Sequence, residues 1–166
     1  PRTNKYFSTP WPWGKDGSPL VWVGMQTFVQ QWLVDEFNDN FFNVDKATVV
    51  AEFKQFLDSY FGKDAVSTDS IAALHDLRYL PLVIKTIPEG CNVEMKVATA
   101  TFINTHKDFA WLVGFIETLV SAELWPAATA ATIAMNYKCI GRYWSALTCD
   151  NDGHLPFQFH DFSSRG

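Results

Sequence analysis

LVIKTIPEG, residues 82–90, decides what kind of fold this chain has. Leu82, Val83, Ile84, Thr86 and Ile87 form an aliphatic and β-branched run broken only by Lys85, and Pro88-Glu89-Gly90 has the composition of a turn. A second run of similar character, 99–103, follows, so the pattern predicts a β-hairpin in mid-chain. On either side the apolar residues recur with a helical period. Upstream, Met25, Phe28, Val29, Trp32, Leu33 and Phe37 make one apolar stripe. Asp45 is placed to cap a second helix that carries Val49, Val50, Phe53, Phe56, Leu57 and Tyr60 and stops at Gly62. Thr68 or Asp69 caps a third, ending near Arg78.

Downstream, Asp108 is placed to cap an apolar helix over 109–124, which Pro126 is expected to end. The small-residue stretch AATAATIAMNYKCIGRYW, 127–144, continues as a tightly packed helix; 150–153 reads as a turn and FQFHDF, 157–162, as a last strand. A Pro/Gly-rich loop, 10–19, precedes the first helix. Helices, hairpin, helices, strand: the predicted fold class is α/β. An α+β segment of helices and a hairpin over 1–155 leads, from 156 to 166, into the first strand of a larger α/β domain.

Bulk composition narrows the function classes. At 166 residues, 48% apolar and 19% charged, the chain is long enough for a real core. Its 16% aromatic content excludes a disordered chain. A net charge of −5 argues against broad nucleic-acid binding, though a few local arginines suffice for a small phosphate ligand. Cys91, Cys139 and Cys149 form no CxxC pair, which favours reduced thiols and a cytoplasmic setting. No signal peptide opens the sequence, and no apolar run reaches the roughly 18 residues of a membrane span. The chain begins Pro1-Arg2-Thr3, without methionine, and is expected to be part of something longer.

Most chemistry-bearing residues have an ordinary reading. His75 and His106 lack companion ligands and read as surface, cap or loop histidines. Glu117 and Glu123 fall on different helix faces, so paired-carboxylate chemistry is not supported. Trp11 and Trp13 read as loop pins, and Arg142 as a solvated or ion-paired helix residue. Residues 157–166, FQFHDFSSRG, differ: an alternating strand releases into Ser-Ser-Arg-Gly, and ligands of α/β folds bind at the C-terminal ends of strands. Phe162 offers a flat face to a ring and Arg165 a planar fork to phosphate oxygens, while Gly166 and the serines permit close backbone approach. Spacing alone leaves this stretch open between a site and an ordinary strand exit.

Longer motifs carry a resemblance. His160-Asp161-Phe162-x-x-Arg165-Gly166 resembles the HDFxxRG motif of nicotinamide phosphoribosyltransferases. Leu80-Pro81-Leu82-x-Ile84-Lys85-x-Ile87-Pro88-Glu89-Gly90 is similar to that family's LPxxIKxxPEG segment. Thr105 to Asp108 with Trp111-Leu112 and Ile116-Glu117-Thr118-Leu119 resembles its ENTDP…WLTNWIETIL region, and Leu124-Trp125-Pro126-x-Ala128-Thr129-Ala130 its WYPxTVAT helix start. PRTNKYF followed by VWVGMQTFVQQWL resembles the family's opening strand and FxGxQ helix. The matches span nearly the whole chain, in order.

The resemblance implies an N-terminal segment of a type II phosphoribosyltransferase, ending as an irregular α/β barrel begins. A DSYKxxH motif is expected upstream, and most of the barrel, the Mg2+ and diphosphate ligands and a phosphorylatable histidine for ATP coupling downstream. The implied activity is that of a pentosyltransferase of NAD salvage: phosphoribosyl passes from 5-phosphoribosyl 1-diphosphate to nicotinamide, in a cytoplasmic homodimer with shared active sites. By the same resemblance Phe162 stacks on the nicotinamide ring, Arg165 faces the phosphoribosyl and diphosphate region, and Arg2 reaches the 5′-phosphate across the dimer. His160 and Asp161 sit beside the ring pocket. The chain departs from the family pattern at Ser163, where glycine is common, and at 133–136, where basic residues often follow TVAT. The isolated segment is expected to be inactive. Two alternatives are a nicotinate phosphoribosyltransferase, which the intact HDFxxRG disfavours, and a non-catalytic homologue serving as an interaction module.

Overall fold

A computed structural model of the chain describes residues 19–94, 96–149 and 151–159. They form helices and two small antiparallel sheets, a mixed α/β fold as expected. The residues divide into two compact units: Met25–Thr86 with Ala100–Glu123, and the segments that flank and interrupt them.

The unit built from Met25–Thr86 and Ala100–Glu123 is mostly helical. Helix α1 starts at Met25–Phe28 and continues in wide i→i+5 turns over Val29–Glu36 and Asn38–Phe42, five residues past the end that its apolar stripe predicts. The stripe does face inward: Met25, Phe28 and Leu33 are buried. Phe37, Phe41 and Phe42 extend it by packing their rings on one another, with centroids 4.9–6.3 Å apart. Asn43 closes the helix, its N–H donating to the Asn38 carbonyl at 3.0 Å.

Helix α2, Lys46–Phe61, begins and ends where the sequence says it should. The Asp45 carboxylate accepts from the Thr48 N–H, relieving one of the unpaired amides of the first turn, and Gly62 takes φ 101°, which stops the helix. Helix α3, Asp69–Leu77, packs against α2, and Lys46 meets Asp76 across the pair at 2.5 Å. His75 corrects a sequence expectation. It is a buried side chain and not a surface one, its Nε2 3.0 Å from the Val44 carbonyl and its ring edge-on to Phe41. Next to it, the Arg78 guanidinium donates to the Phe42 carbonyl, so the end of α1 is tied to the end of α3.

The ribbon at the centre of the chain pairs β2, Leu82–Thr86, with β4, Ala100–Asn104, from Leu82↔Asn104 to Thr86↔Ala100. The Thr105 N–H extends the ladder to the Pro81 carbonyl at 2.8 Å. His106, in the loop expected for it, caps a short 3-10 turn, Lys107–Phe109, by accepting from the Asp108 N–H. Asp108 therefore lies inside that turn and is not the cap of the helix that follows.

The other unit carries a second, smaller sheet that the sequence pattern does not reveal. The turn after β2 does not fold straight back: β3, Asn92–Val93, intervenes and pairs with β1, Leu20–Val21. Trp22 and its partners lengthen this ladder, with Trp22 N–H on the Cys91 carbonyl at 3.1 Å and Gly90 N–H on the Trp22 carbonyl at 2.8 Å. Thr132 fastens β1 to the helix behind it: its Oγ1 accepts from the Val21 N–H at 2.9 Å and donates to the Ala128 carbonyl at 2.7 Å. Gly24 lies close to that helix, at φ 104°; a Cβ there would sit 3.1 Å from the Ala127 Cβ.

Helix α4, Trp111–Thr148, continues past Pro126, contrary to the expected break. An interior proline costs about 3 kcal/mol, because it has no N–H for the carbonyl four residues back. Burial of Leu124 and Ala128 on either side of it offsets part of that cost. The expected last strand is also corrected where it can be followed: Leu155–Phe157 is a 3-10 turn. Among the described residues no helix is long and apolar enough to cross a membrane.

Candidate functional site

All five residues that the sequence marks for substrate contact, Arg2, His160, Asp161, Phe162 and Arg165, lie outside the described residues, as do Trp11 and Trp13. The structure does describe residues 151–159, which precede the 160–166 stretch in the sequence. Helix α4 ends at Thr148, and residues 151–159 pack back onto it. The Ser145 hydroxyl donates to the Asn151 carbonyl, the Gly153 N–H to the Asn151 side chain at 2.9 Å, and the Leu155 N–H to the Asp152 carbonyl at 3.0 Å. Arg142 pairs with Asp152 at 3.9 Å, in keeping with its ordinary reading. Leu155 is buried, and Phe159 lies on α4 with its ring stacked against Tyr137. Sequence reasoning missed the role of Gly141, over which Phe159 and Leu155 close; the available signal was one glycine in a stretch otherwise fit for a helix.

The remaining candidates keep their ordinary readings. Glu117 and Glu123 are both exposed, with no geometry that joins them. Among the described residues no group of three His, Cys, Asp or Glu side chains could hold a metal ion.

Two other features stand out. Between α2, α3 and the start of α4 lies an open groove of about 520 Å³, lined by aromatic and aliphatic side chains including Phe53, Phe56, Tyr60, Trp111 and Phe115. Phe56 and Tyr60 stack at 6.2 Å and Trp111 meets Phe115 edge-on at 5.8 Å. No charged side chain lines the groove; its polar groups are the hydroxyls of Tyr60, Ser67 and Ser70. The second feature is a charge cluster at the end of α2. The Asp64 N–H (2.9 Å) and then Lys54 hold the Asp58 carboxyl below its ordinary range. Hydrogen bonds to Asp64 (2.5 Å) and then Asp58 raise Lys54 above its own. The cluster is exposed and closes the loop after Gly62; it is a surface clasp.

The chain is 48% identical over 147 residues to the nicotinamide phosphoribosyltransferase of Acinetobacter baylyi, a match covering 89% of this chain. The chain is a relative of the nicotinamide phosphoribosyltransferases. Proteins of the same name from Xanthomonas campestris and Mycoplasma genitalium are each 36% identical to it, over 88 and 90 residues, or 52% of the chain in both cases. The nicotinamide phosphoribosyltransferases are longer proteins: the matches cover 29%, 19% and 20% of these three relatives. No protein-family model matches the chain.

Proposed function

We propose that this chain is the N-terminal part of a nicotinamide phosphoribosyltransferase. The observation that carries the reading is 48% identity over 147 residues to a relative of that name. In the proposed reaction the ring nitrogen of nicotinamide attacks C1 of 5-phosphoribosyl 1-diphosphate, the C1–oxygen bond to diphosphate breaks, and nicotinamide mononucleotide and diphosphate leave. The transition state has oxocarbenium character at C1. Catalysis therefore comes mainly from orientation and from charge stabilisation along the line of displacement.

Within that scheme Phe162 stacks on the nicotinamide ring and holds its nitrogen toward C1. Arg165 and Arg2 balance phosphate charge, a task suited to the planar guanidinium fork. His160 and Asp161 line the ring pocket. Residues 156–166 lead into the catalytic barrel, and a second subunit completes the site in a cytoplasmic homodimer serving NAD salvage. Mg2+ and ATP coupling belong to the same reading, with ligands outside this chain; bound Mg2+ would supply charge neutralisation on diphosphate, and no step above is routed through it.

The test is a steady-state assay of the whole enzyme carrying this chain, with nicotinamide and nicotinate in parallel. Nicotinamide is expected to be preferred, and Phe162→Ala to weaken its use by about 1–3 kcal/mol in kcat/KM, the order of a lost aromatic stack in a pocket. Preference for nicotinate would overturn the amide assignment, and an unchanged kcat/KM would remove Phe162 from the site.

A further inference from the structure

Phe53, Phe56, Leu57 and Tyr60 stand at i, i+3, i+4 and i+7 on α2 and form the apolar stripe from which that helix is read. A stripe of this kind needs another element to lie against it. Packing against α3 and the start of α4 satisfies it only in part. Leu57 and, on α3, Ile71 are buried and make the floor of the groove described above. Its walls are not covered: Phe56 is 62% exposed, Tyr60 74%, Phe61 57% and Phe115 56%. Every lining residue belongs to one compact unit, so the groove is a feature of that unit by itself.

A cluster of exposed aromatic rings of this kind marks a surface that something covers. A small ligand does not suit it, because an open groove cannot enclose most of a small molecule's surface. A charged partner does not suit it either: no charged side chain lines the groove, so an incoming carboxylate or ammonium would be desolvated with no counter-ion. What fits is a broad apolar face held permanently. This chain matches only 29% of the length of its Acinetobacter baylyi relative. We propose that the groove between α2, α3 and α4 is an intrachain docking face, occupied in the whole enzyme by apolar side chains of the polypeptide that continues beyond residue 166. A tethered segment is always present at high effective concentration, which suits a face with no charges to steer an encounter. The inference rests on the reading of this chain as the N-terminal part of a longer protein, and not on that protein's substrate.

The whole enzyme provides the test, without an assay of activity. Hydroxyl-radical footprinting of the wild-type protein reads whether the groove is covered. Phe56, Tyr60, Phe61 and Phe115 are expected to be oxidised severalfold more slowly in the folded enzyme than in urea. Rings as exposed as these are in the 166 residues alone would react at close to the unfolded rate. A photoreactive benzophenone amino acid in place of Tyr60 then reads what covers the groove. The expected product keeps the mobility of a single polypeptide on a denaturing gel and joins residue 60 to a peptide from beyond residue 166. If that variant does not fold, the same replacement at Val66, which also lines the groove and is 41% exposed, serves instead.

Oxidation of the four rings at close to the unfolded rate overturns the docking face. So does the absence of an intrachain link beyond residue 166 from either position, whether the product has doubled mass, which places a second copy in the groove, or a link confined to the 166 residues, or no link at all. A whole protein with the mass of these 166 residues alone overturns the longer-protein reading, and the docking face with it. An enzyme that does not use nicotinamide but gives the expected product loses the transferase reading and keeps the docking face.

Discussion

Among the described residues, two sheets are built by different means. The β2–β4 ribbon carries five registered pairs, Leu82↔Asn104 to Thr86↔Ala100, and its side chains announce it in the sequence. The β1–β3 ladder registers two, and rests on contacts from elsewhere: the Thr132 hydroxyl on the Val21 N–H, and a glycine that lets the chain after β1 lie against α4. Backbone pairing spread over many residues tolerates the loss of any one side chain. Pairing that depends on two tertiary contacts does not. A single substitution at the short ladder should therefore weigh more than one on the long ribbon.

The sharpest way to break the comparison is Gly24→Ala. It places a Cβ at φ 104° and 3.1 Å from Ala127, combining backbone strain with overpacking. The expected loss is roughly 2–4 kcal/mol in urea denaturation followed by circular dichroism. Thr132→Val comes next, leaving the N–H of the buried Val21 without its hydroxyl acceptor. It should cost about 1–3 kcal/mol by the same measurement, with faster amide exchange at Val21 as the local signature. Ile103→Ala removes one member of the Val83↔Ile103 pair, both of which are more than two-fifths exposed, and should cost less than about 1 kcal/mol. A larger loss from Ile103→Ala than from Thr132→Val would reverse the ranking.

The smallest effect is electrostatic and belongs to the clasp at the end of α2. Asp58 has a depressed pKa in the folded chain, so its share of stability is complete above the ordinary carboxylate range and is lost as pH falls through the depressed value. Lys54, raised in the fold, contributes fully below the ordinary lysine range and loses its share as pH climbs through the raised value. Because the cluster is exposed, high salt should flatten both limbs. Asp58→Asn should remove the acid limb in a pH series of thermal melts; an unchanged acid limb would separate acid stability from this clasp.

The same contrast explains what could be read in advance. Helices α2 and α3 were legible because their signals are local: the Asp45 cap, the Gly62 stop and the apolar period between them. The β2–β4 ribbon was legible for its composition. The β1–β3 ladder was not, because Leu20–Val21 and Asn92–Val93 are too short for an alternating pattern and are paired by tertiary contacts. Pro126 misled for a related reason: its local preference to end a helix was overridden by the packing of Leu124 and Ala128. His75 misled because nothing local in the sequence shows that the Val44 carbonyl and the Phe41 ring await it. The residues proposed to contact substrate are legible only as a motif; the structure adds the packing at Gly141, where the absence of a side chain leaves room for Leu155 and Phe159.

Pro126 has one further consequence, for how α4 would appear to a solvent-exchange experiment. A proline has no amide hydrogen, so the helix Trp111–Thr148 contains a fixed blank in its protection pattern at 126. The Ala122 carbonyl, deprived of its usual donor, is where the ladder is thinnest. Amides before and after that blank can open as separate cooperative stretches, although the backbone between them is one uninterrupted helix.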